Sequence, residues 1–496
     1  MGAAFGQKPL GPVLHLYRSQ LHPQHRQITY TKPSSKNLEP HFSVESQAFG
    51  GSALKKSSSV ASTGSKRMIP LGTGRPSPEY YPWIRSLESK QFDTYSEAIT
   101  KETNPPAANG HHQLALQVST KHDDGYNLAL ALNYGHAHVE LVHNPSYSNW
   151  DTCLTAGTTS ALEIAFRIFC NRGDIVLSEK YTYPGTIKAI NLVGAQMQAV
   201  DLDKAGASAI YLKEILDKWD ISRGPKPTVF YTIPCGQNPT DTTQSLKRRQ
   251  QILEVAEEHV LIIIEDDPYY FLRPGLCSTG ADSDISADGV PSYLFLDTFG
   301  RVVRLDSTSK ILAPGLRAGW VTANASIIEK FLAYQEVSTV AVSEPVQMML
   351  YILLDDNWGH TGFFSWLDFL SQQYRIRRDL MLEACSKYLP QDICTWVPPD
   401  YGMFLWLELD WRKHPQFKDG LSCGSLSLNL LEIENNILQL ALEDGVQVTK
   451  GSLFRCSKKP IEELHFRMTF AAASEQDLTQ GVRIFAGSIR KEFTIY

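Results

Sequence analysis

The sequence lacks the features that mark membrane-spanning, disulfide-rich and strongly charged proteins. No apolar stretch approaches the roughly 20 residues that a helix needs to cross a bilayer. The eight cysteines are scattered without a Cys-x-x-Cys pair, which disfavours both a disulfide framework and a zinc site. The net charge of −6 gives no electrostatic reason to expect nucleic acid or an anionic membrane as a partner. We therefore expect a cytoplasmic protein with reduced thiols.

Several common catalytic motifs are also missing. The chain has no Walker lysine motif, no HExxH zinc motif and no GxSxG nucleophile elbow, which argues against the NTPase, zincin and α/β-hydrolase classes. His136, His138 and His143 lie close together in the sequence, but no thiolate or paired carboxylate accompanies them. We expect a structural role for these histidines and no bound metal.

The first part of the chain differs from the rest in composition. Residues 1–38 contain five basic residues and no Asp or Glu, and residues 46–65 are rich in Ser, Gly and Ala. Neither part has a sustained apolar period, so we expect residues 1–65 to form a disordered extension. Mitochondrial targeting by residues 1–40 is the less favoured alternative, because an arginine-rich amphipathic helix is not evident there.

From residue 174 onward, short apolar segments alternate with amphipathic ones. Strand-like segments at 174–178, 228–233 and 260–264 are separated by segments that suit helices, such as 184–192 and 244–258. This alternation predicts an α/β fold with a parallel sheet covered by helices on both faces. After about residue 375 the pattern changes to one that predicts a second, α+β domain.

Polar clusters follow the predicted strands, where open α/β sheets bind ligands. Gly157-Thr-Thr-Ser160 precedes a helix, whose free N–H groups can hold a phosphate. The other clusters share a place after a strand, and they are Gly236–Thr240, Glu265–Tyr270, and Asp306–Lys310 with Pro314–Gly319 behind it. Each cluster alone has an ordinary explanation as loop or surface chemistry.

Together and in this order, the clusters resemble the pyridoxal-phosphate (PLP)-dependent aminotransferases of fold type I, class I/II. Tyr231-Thr-Ile-Pro-Cys-Gly-Gln-Asn-Pro-Thr240 and Glu265-Asp-Asp-Pro-Tyr-Tyr-Phe-Leu272 are similar to the fungal aromatic amino acid and 2-aminoadipate (kynurenine) aminotransferase branch. The resemblance covers about residues 66–496. It implies a large PLP-binding domain at 131–375, with a mainly parallel seven-stranded sheet. It also implies a smaller α+β domain at 376–496, while residues 66–130 supply its N-terminal part and an active-site cover.

The resemblance assigns roles around the cofactor. Lys310 matches the lysine that binds PLP covalently and then moves protons on the substrate. Asp267 matches the anion that keeps the pyridine nitrogen protonated, with Asp266 as its neighbour. Asn238 and Tyr270 match the residues that hydrogen-bond the phenolic oxygen. Tyr183 matches the aromatic that stacks on the ring and, with Lys310 and Asp267, completes the predicted catalytic set.

Phosphate and substrate contacts follow from the same resemblance. The predicted phosphate ligands are the hydroxyl residues Thr158, Thr159, Ser307 and Ser309 and the guanidinium of Arg317. Tyr134 matches a tyrosine that reaches the phosphate of a neighbouring subunit, which implies a homodimer. Arg467 matches the arginine that grips the substrate α-carboxylate, with Asn238 and Gly74 as further substrate-binding residues. The chain departs from the family pattern in three places: the segment between Tyr134 and Asn144 is shorter, the usual Asn-Pro-Thr-Gly reads Asn238-Pro-Thr-Asp241, and Lys450-Gly451 replaces a usual Pro-Gly.

The resemblance implies an aminotransferase that moves the amino group of an aromatic or similarly large L-amino acid to a 2-oxo acid such as 2-oxoglutarate, in the setting of fungal secondary metabolism. The alternative keeps the cofactor but changes the reaction to a carbon–sulfur β-lyase, or another PLP step in sulfur-containing secondary-metabolite biosynthesis. A third class, a catalytically silent scaffold or transcription regulator, is disfavoured by the intact Lys310. The absence of a winged-helix-like basic domain in residues 1–65 also argues against it.

Overall fold

The computed structural model describes residues 67–85, 88–89, 146–273, 290–417, 423–457 and 459–495. The predicted extension at 1–65, Tyr134 and the histidines at 136, 138 and 143 lie outside these residues. Within them the strands are β1 Ile69–Pro70, β2 Trp83–Arg85, β3 Glu88–Ser89, β4 Trp150–Thr155, β5 Ile175–Glu179, β6 Gln196–Val200, β7 Leu202–Asp203, β8 Gly206–Ala207, β9 Val229–Thr232, β10 Ile262–Asp266, β11 Val302–Ser307, β12 Gly319–Asn324, β13 Cys394–Trp396, β14 Phe404–Leu409, β15 Val446–Gln447, β16 Thr449–Lys450 and β17 Leu464–Thr469.

The helices of the described residues alternate with these strands. They are α1 Thr158–Phe169, α2 Pro184–Leu192, α3 Ala209–Asp217, α4 Leu246–His259, α5 Tyr293–Leu296, α6 Ala325–Glu336, α7 Glu344–Tyr351, α8 Gly359–Tyr388, α9 Cys423–Glu443 and α10 Glu475–Glu492. A π-helical segment, Ile352–Trp358, joins α7 to α8. None of the described helices is long and apolar enough to cross a membrane.

Seven strands form the large sheet, in the order β4-β12-β11-β10-β9-β5-β6. Only β12 runs antiparallel to its neighbours, β11 and β4, so the other six strands end at one edge. The central strands β9 and β11 are buried along their whole length, because helices cover both faces of the sheet. The predicted α/β fold with a mainly parallel seven-stranded sheet is confirmed.

A smaller antiparallel sheet, in the order β13-β14-β17-β16, carries the C-terminal part of the chain. Helices α8, α9 and α10 belong to the same region, and β1 pairs in parallel with β15. That pairing brings the segment that begins at residue 67 onto this region, far from its place in the sequence. Helix α8 runs without a break through the predicted boundary at 375/376, and the domain boundaries themselves stay predictions.

Local sequence explains where the helices of the large sheet begin. Pro184 occupies the first turn of α2, where its missing N–H costs no helical hydrogen bond. The hydroxyl of Ser245 accepts from the N–H of Arg248 and caps α4. Gly157 precedes α1 with φ of 82°, a conformation that favours glycine. These starts place three helix N-termini next to the carboxyl edge of the sheet.

Candidate active site

The carboxyl edge of the large sheet gathers side chains from five separate strands. Their shared feature is a position at a strand end or in the loop just after it, and they are Thr158 and Thr159 after β4, Tyr183 after β5, Asn238 after β9, Asp266 at the end of β10, and Ser307, Ser309 and Lys310 after β11. Arg467 reaches the same place from β17 of the small sheet. The structure therefore brings together residues that are up to 309 positions apart, which is the difference between 467 and 158.

Lys310 is the lysine at this edge. Its Nζ donates a hydrogen bond to the carbonyl oxygen of Gly74 at 2.6 Å and lies 6.0 Å from the centroid of the Tyr269 ring. Burial, with the positive charges of Arg467 and Arg317, lowers the pKa of Lys310 to about 8. A neutral amine is therefore available near neutral pH, as nucleophilic and proton-transfer chemistry requires.

The acidic group that faces Lys310 is Asp266. This carboxylate accepts from the hydroxyl of Tyr231 at 2.7 Å, and its other oxygen has no hydrogen-bond partner among the described residues. Burial raises the pKa of Asp266 to about 6, while Lys310 lowers it. Asp266 thus offers a buried carboxylate oxygen to a cationic nitrogen.

The sequence assignment of Asp267 to this position does not fit the structure. Asp267 contacts Arg304 at 3.4 Å, within a buried cluster that also contains Glu265, Asp306 and Arg249. Successive side chains of a strand point to opposite sides, so the residue after Asp266 is directed away from Lys310. The structure corrects the prediction by one residue, from Asp267 to Asp266.

The predicted Tyr270 requires the same correction. The amide nitrogen of Asn238 donates to the hydroxyl of Tyr269 at 3.3 Å, so Tyr269 shares the pocket with Asn238. The ring of Tyr270 instead lies against two guanidinium groups, 4.9 Å from Arg304 and 5.1 Å from Arg273. Tyr269 is therefore the tyrosine placed to reach a phenolic oxygen beside Asn238.

A cradle for an anion lies at the start of α1. A Cβ at Gly157 would lie 2.5 Å from Nη2 of Arg317, so this glycine lets the guanidinium reach the helix N-terminus. Arg317 donates to the carbonyl oxygens of Pro314 and Ala156, and it has no carboxylate partner among the described residues. The N–H of Ser309 donates to Oγ of Ser307 at 3.0 Å beside it. Hydroxyls, a helix N-terminus and a guanidinium without a carboxylate partner among the described residues suit a phosphate dianion.

Tyr183 forms a further wall of the pocket that contains Asp266. A Cβ added at Gly185 would lie 2.3 Å from the ring of Tyr183, so the ring lies directly over this glycine. Burial raises the pKa of Tyr183, and the nearby Asp266 raises it further, which places the two residues in one pocket. The predicted position of Tyr183 beside the cofactor site fits this geometry.

Arg467 is a buried cation with no carboxylate partner among the described residues. Its Nη1 donates to Oδ1 of Asn238 at 2.6 Å and its Nη2 to the carbonyl oxygen of Gly72 at 2.8 Å, while Nε has no partner there. The guanidinium lies 4.1 Å from the ring centroid of Phe404 and 4.8 Å from that of Phe454. Burial lowers its pKa to about 10. Because an uncompensated buried charge is costly, this site calls for an anion from outside the chain.

Residues 71–74 lie across the site as a strap. The Gly72 carbonyl accepts from Arg467, the Gly74 carbonyl accepts from Lys310, and the Leu71 carbonyl accepts from the N–H of Thr469 at 2.7 Å. A Cβ at Gly74 would lie 3.0 Å from the ring of Phe404. Gly74 therefore lies beside Phe404 and Lys310, and its role in substrate binding stays a prediction.

Sequence reasoning missed four contributors to this site. Besides Asp266 and Tyr269, these are Phe454, which packs on Arg467, and Gly72, which accepts from it. Strand alternation at the end of β10 is a signal that could have identified Asp266, and the pairing of Asn238 with a tyrosine is visible only in three dimensions. Neither Phe454 nor the Gly72 carbonyl carries a sequence signal of its own.

The geometry agrees with what known proteins show. The profile of the family "Aminotransferase class I and II" matches residues 125–485. The chain belongs to the class I and II aminotransferase family. It is 40% identical to aminotransferase swnA of Arthroderma benhamiae over 94% of both chains, and 34% identical to an aromatic amino acid aminotransferase of Schizosaccharomyces pombe over 92% of this chain and 98% of that one. The crystal structure of aminotransferase Aro8 from Candida albicans matches it with a TM-score of 0.68 at 29% identity, over 94% of this chain and all of that one.

The cofactor of this aminotransferase is PLP, and the residues present fit it. The orphaned oxygen of Asp266 suits the pyridinium, Asn238 and Tyr269 suit the phenolic oxygen, and Lys310 supplies the amine. The cradle at Gly157 and Arg317 suits the phosphate. The membership, the fold, the enzyme class and the cofactor that the sequence predicted are thus confirmed.

Proposed function

We propose that this PLP-dependent aminotransferase moves the amino group of an aromatic L-amino acid to a 2-oxo acid such as 2-oxoglutarate. The observation that carries the proposal is the buried Arg467 guanidinium, which has no carboxylate partner among the described residues and lies in the same pocket as Lys310. Amino acids and 2-oxo acids both bring a carboxylate to that position. One site can therefore serve donor and acceptor in turn.

Aromatic rings support the preference for a large, flat donor. Phe404 and Phe454 enclose the guanidinium of Arg467, and Tyr269 packs edge-on against Phe404 with 5.6 Å between ring centroids. Ring pairs of this kind favour aromatic partners. The name of the Schizosaccharomyces pombe relative, aromatic amino acid aminotransferase, points the same way.

The charged residues of the pocket have separate roles in the proposed reaction. PLP, when bound, supplies an electron sink for the Cα–H bond of the amino acid. Asp266 holds the proton on the pyridine nitrogen through its buried oxygen, Arg317 and the start of α1 hold the phosphate, and Arg467 orients the substrate carboxylate. With the carboxylate fixed at one end, the Cα–H bond can be directed at Lys310.

Lys310 moves the proton. Its pKa of about 8 leaves a useful fraction of neutral amine at neutral pH, so Nζ can accept the proton from the substrate Cα and later return it to another atom. The strap at 71–74 covers this amine and limits its access to water. Deprotonation by Lys310 and carboxylate binding by Arg467 are the two functions the pocket is built to combine.

A single-turnover experiment tests the proposed reaction. Mixing the purified holoenzyme with L-phenylalanine, L-tyrosine or L-tryptophan and no acceptor should release one oxo acid per site and leave pyridoxamine phosphate. Addition of 2-oxoglutarate should restore the PLP absorbance. If aromatic amino acids change nothing while a cysteine conjugate yields ammonia, pyruvate and free thiol, the enzyme is a β-lyase and the proposal is wrong.

We also propose that the enzyme acts as a homodimer in which Tyr134 of each subunit reaches the phosphate of the other. The support is the family match at Asn133-Tyr134-Gly135, which lies outside the described residues. Light scattering on the holoenzyme should give twice the 55.5 kDa mass of the chain. Tyr134→Phe should weaken PLP retention without changing that mass, and a monomeric active enzyme would contradict the proposal.

A further inference from the structure

Asp241 combines three features that are unusual for an acidic loop residue. Its backbone φ is 59°, a left-handed conformation in which glycine is the least strained residue. The residue is only 8% exposed, and its carboxyl oxygens receive no hydrogen bond from a side chain of the described residues. The residue also stands where the family pattern has glycine, so the chain keeps a strained, buried acid at a position that glycine fills elsewhere.

The carboxyl group of Asp241 packs against the turn that leads into β14. A Cβ at Gly402 would lie 2.8 Å from Oδ1 of Asp241, so the carboxyl and this turn are in direct contact. The two backbones also touch, because a Cβ at Gly236 would lie 2.8 Å from the Cα of Gly402. The loop 236–242 of the large sheet and the turn 401–404 of the small sheet are thus fitted to each other at one point.

Each of these two segments carries one wall of the Arg467 site. The loop 236–242 carries Asn238, which accepts from Nη1 of Arg467, and the turn ends in Phe404, whose ring packs on the same guanidinium. Inside the loop, the N–H of Asp241 donates to the carbonyl oxygen of Gln237 at 2.6 Å. A shift of Asp241 would therefore reach both groups that orient Arg467.

The far end of the loop is already fixed by a different buried acid. Gln237 donates to Glu179 at 3.0 Å, and Glu179 also accepts from the hydroxyl of Thr232 at 2.8 Å. At the end of the loop that faces the small sheet, Arg467 donates to Asn238 and the N–H of Phe404 faces the Asp241 carboxyl, so Asp241 adds a packing contact there. We propose that Asp241 is a positioning residue, which holds the loop 236–242 against the turn 401–404 and thereby sets the geometry of the Arg467 carboxylate site.

The protonation of Asp241 bears on this role. Burial raises its pKa well above the ordinary value and the nearby Asp400 raises it further, while the N–H of Phe404 and the charge of Arg378 lower it. A neutral carboxyl can pack against Gly402 without the cost of a buried charge. As pH rises through the raised pKa, the buried carboxylate that forms should loosen the contact, so the stability that the neutral acid contributes is present at low pH and lost at high pH.

Two variants separate this role from a general structural one. Asp241→Gly keeps the backbone conformation but removes the side chain, and it should raise KM for L-phenylalanine and for 2-oxoglutarate by roughly tenfold with little change in kcat. Asp241→Asn keeps the shape without the charge, so it should retain the KM of the unmodified enzyme and lose the rise in KM at high pH. Asp400→Asn is the matched control, since it removes a neighbouring charge and leaves the contact with Gly402, and it should not change KM at pH 7.

The inference rests on the role proposed for Arg467, so Arg467→Lys is measured beside these variants. If Arg467→Lys leaves KM unchanged, the carboxylate site is assigned wrongly; if it raises KM while Asp241→Gly does not, only the present inference fails. Thermal unfolding gives a readout that needs neither substrate nor the Asp241→Gly variant. The melting temperature of the unmodified enzyme should fall relative to that of Asp241→Asn as pH rises, and parallel curves would overturn the inference.

Discussion

Two neighbouring acids, Asp266 and Asp267, lie in opposite kinds of surroundings. Each carboxyl keeps one oxygen without a hydrogen-bond partner among the described residues, but the other oxygen of Asp266 accepts from a tyrosine hydroxyl, whereas Asp267 is packed into a cluster with Arg304, Arg249 and Glu265. Asp306 completes the cluster through two hydrogen bonds from Arg304, at 2.8 and 2.9 Å. The neighbours, not the number of hydrogen bonds, separate the two acids: Asp266 faces the amine of Lys310, while Asp267 faces Arg304 and Arg249.

Replacement of the two acids separately should give the largest difference. Asp266→Asn removes the anion beside the pyridine nitrogen and should lower kcat by about 10²–10³, the cost of one preorganised electrostatic partner. Asp267→Asn should leave kcat within roughly tenfold, because its carboxylate faces the arginines. Steady-state kinetics and PLP content check both variants, and equal losses of kcat would remove the distinction between the two positions.

Replacement of Arg304 tests how much the buried ionic cluster around Asp267 stabilises the fold. Arg304→Met leaves three buried carboxylates, Glu265, Asp267 and Asp306, without their shared cation, and breaking such a buried pair costs about 3–5 kcal/mol. We expect a large fall in the free energy of unfolding, measured with denaturant. The exposed pair of Lys491 and Asp444 supplies the control, since Lys491→Met should cost about 1 kcal/mol or less.

The two tyrosines give a smaller test of the same kind. Tyr269→Phe removes the hydroxyl that accepts from Asn238 and should lower kcat/KM by roughly tenfold, the value of one hydrogen bond to a charged group. Tyr270→Phe keeps the ring against the guanidinium groups and should change kcat/KM by less than about twofold. A larger effect at position 270 than at 269 would restore the assignment made from sequence.

The smallest expected effect is the pH dependence of PLP attachment to the apoenzyme. The amine of Lys310 must be neutral to bind PLP, and its lowered pKa of about 8 predicts that PLP attachment to the apoenzyme speeds up with pH and levels off above this value. Stopped-flow absorbance measures the rate. Because the folded-state pKa is depressed below the ordinary lysine value, the cost of the buried amine is absent at high pH and appears as pH falls toward 8. A rate that keeps rising to pH 10 would show an ordinary lysine.

The sequence motifs were sufficient where only one residue of the motif could fill the role. The family resemblance assigned roles to Lys310, Arg467 and the threonines at the start of α1, and the structure brings these residues together. The sequence failed at the tandem acids and tandem tyrosines, because composition is the same at both members and only strand direction separates them. The predicted boundary at 375/376 likewise falls inside α8, whose helical period continues through it.

The ring of Tyr183 lies so close to residue 185 that the two positions cannot vary independently. Any side chain at 185 would displace an aromatic that walls the cofactor site, so the tolerance of position 185 is set by chemistry two residues away. A different ring at 183 therefore requires a matching change at 185. Paired changes at 183 and 185 define a small, bounded library in which the tilt of the cofactor wall can be adjusted without touching Lys310, Asp266 or Arg467.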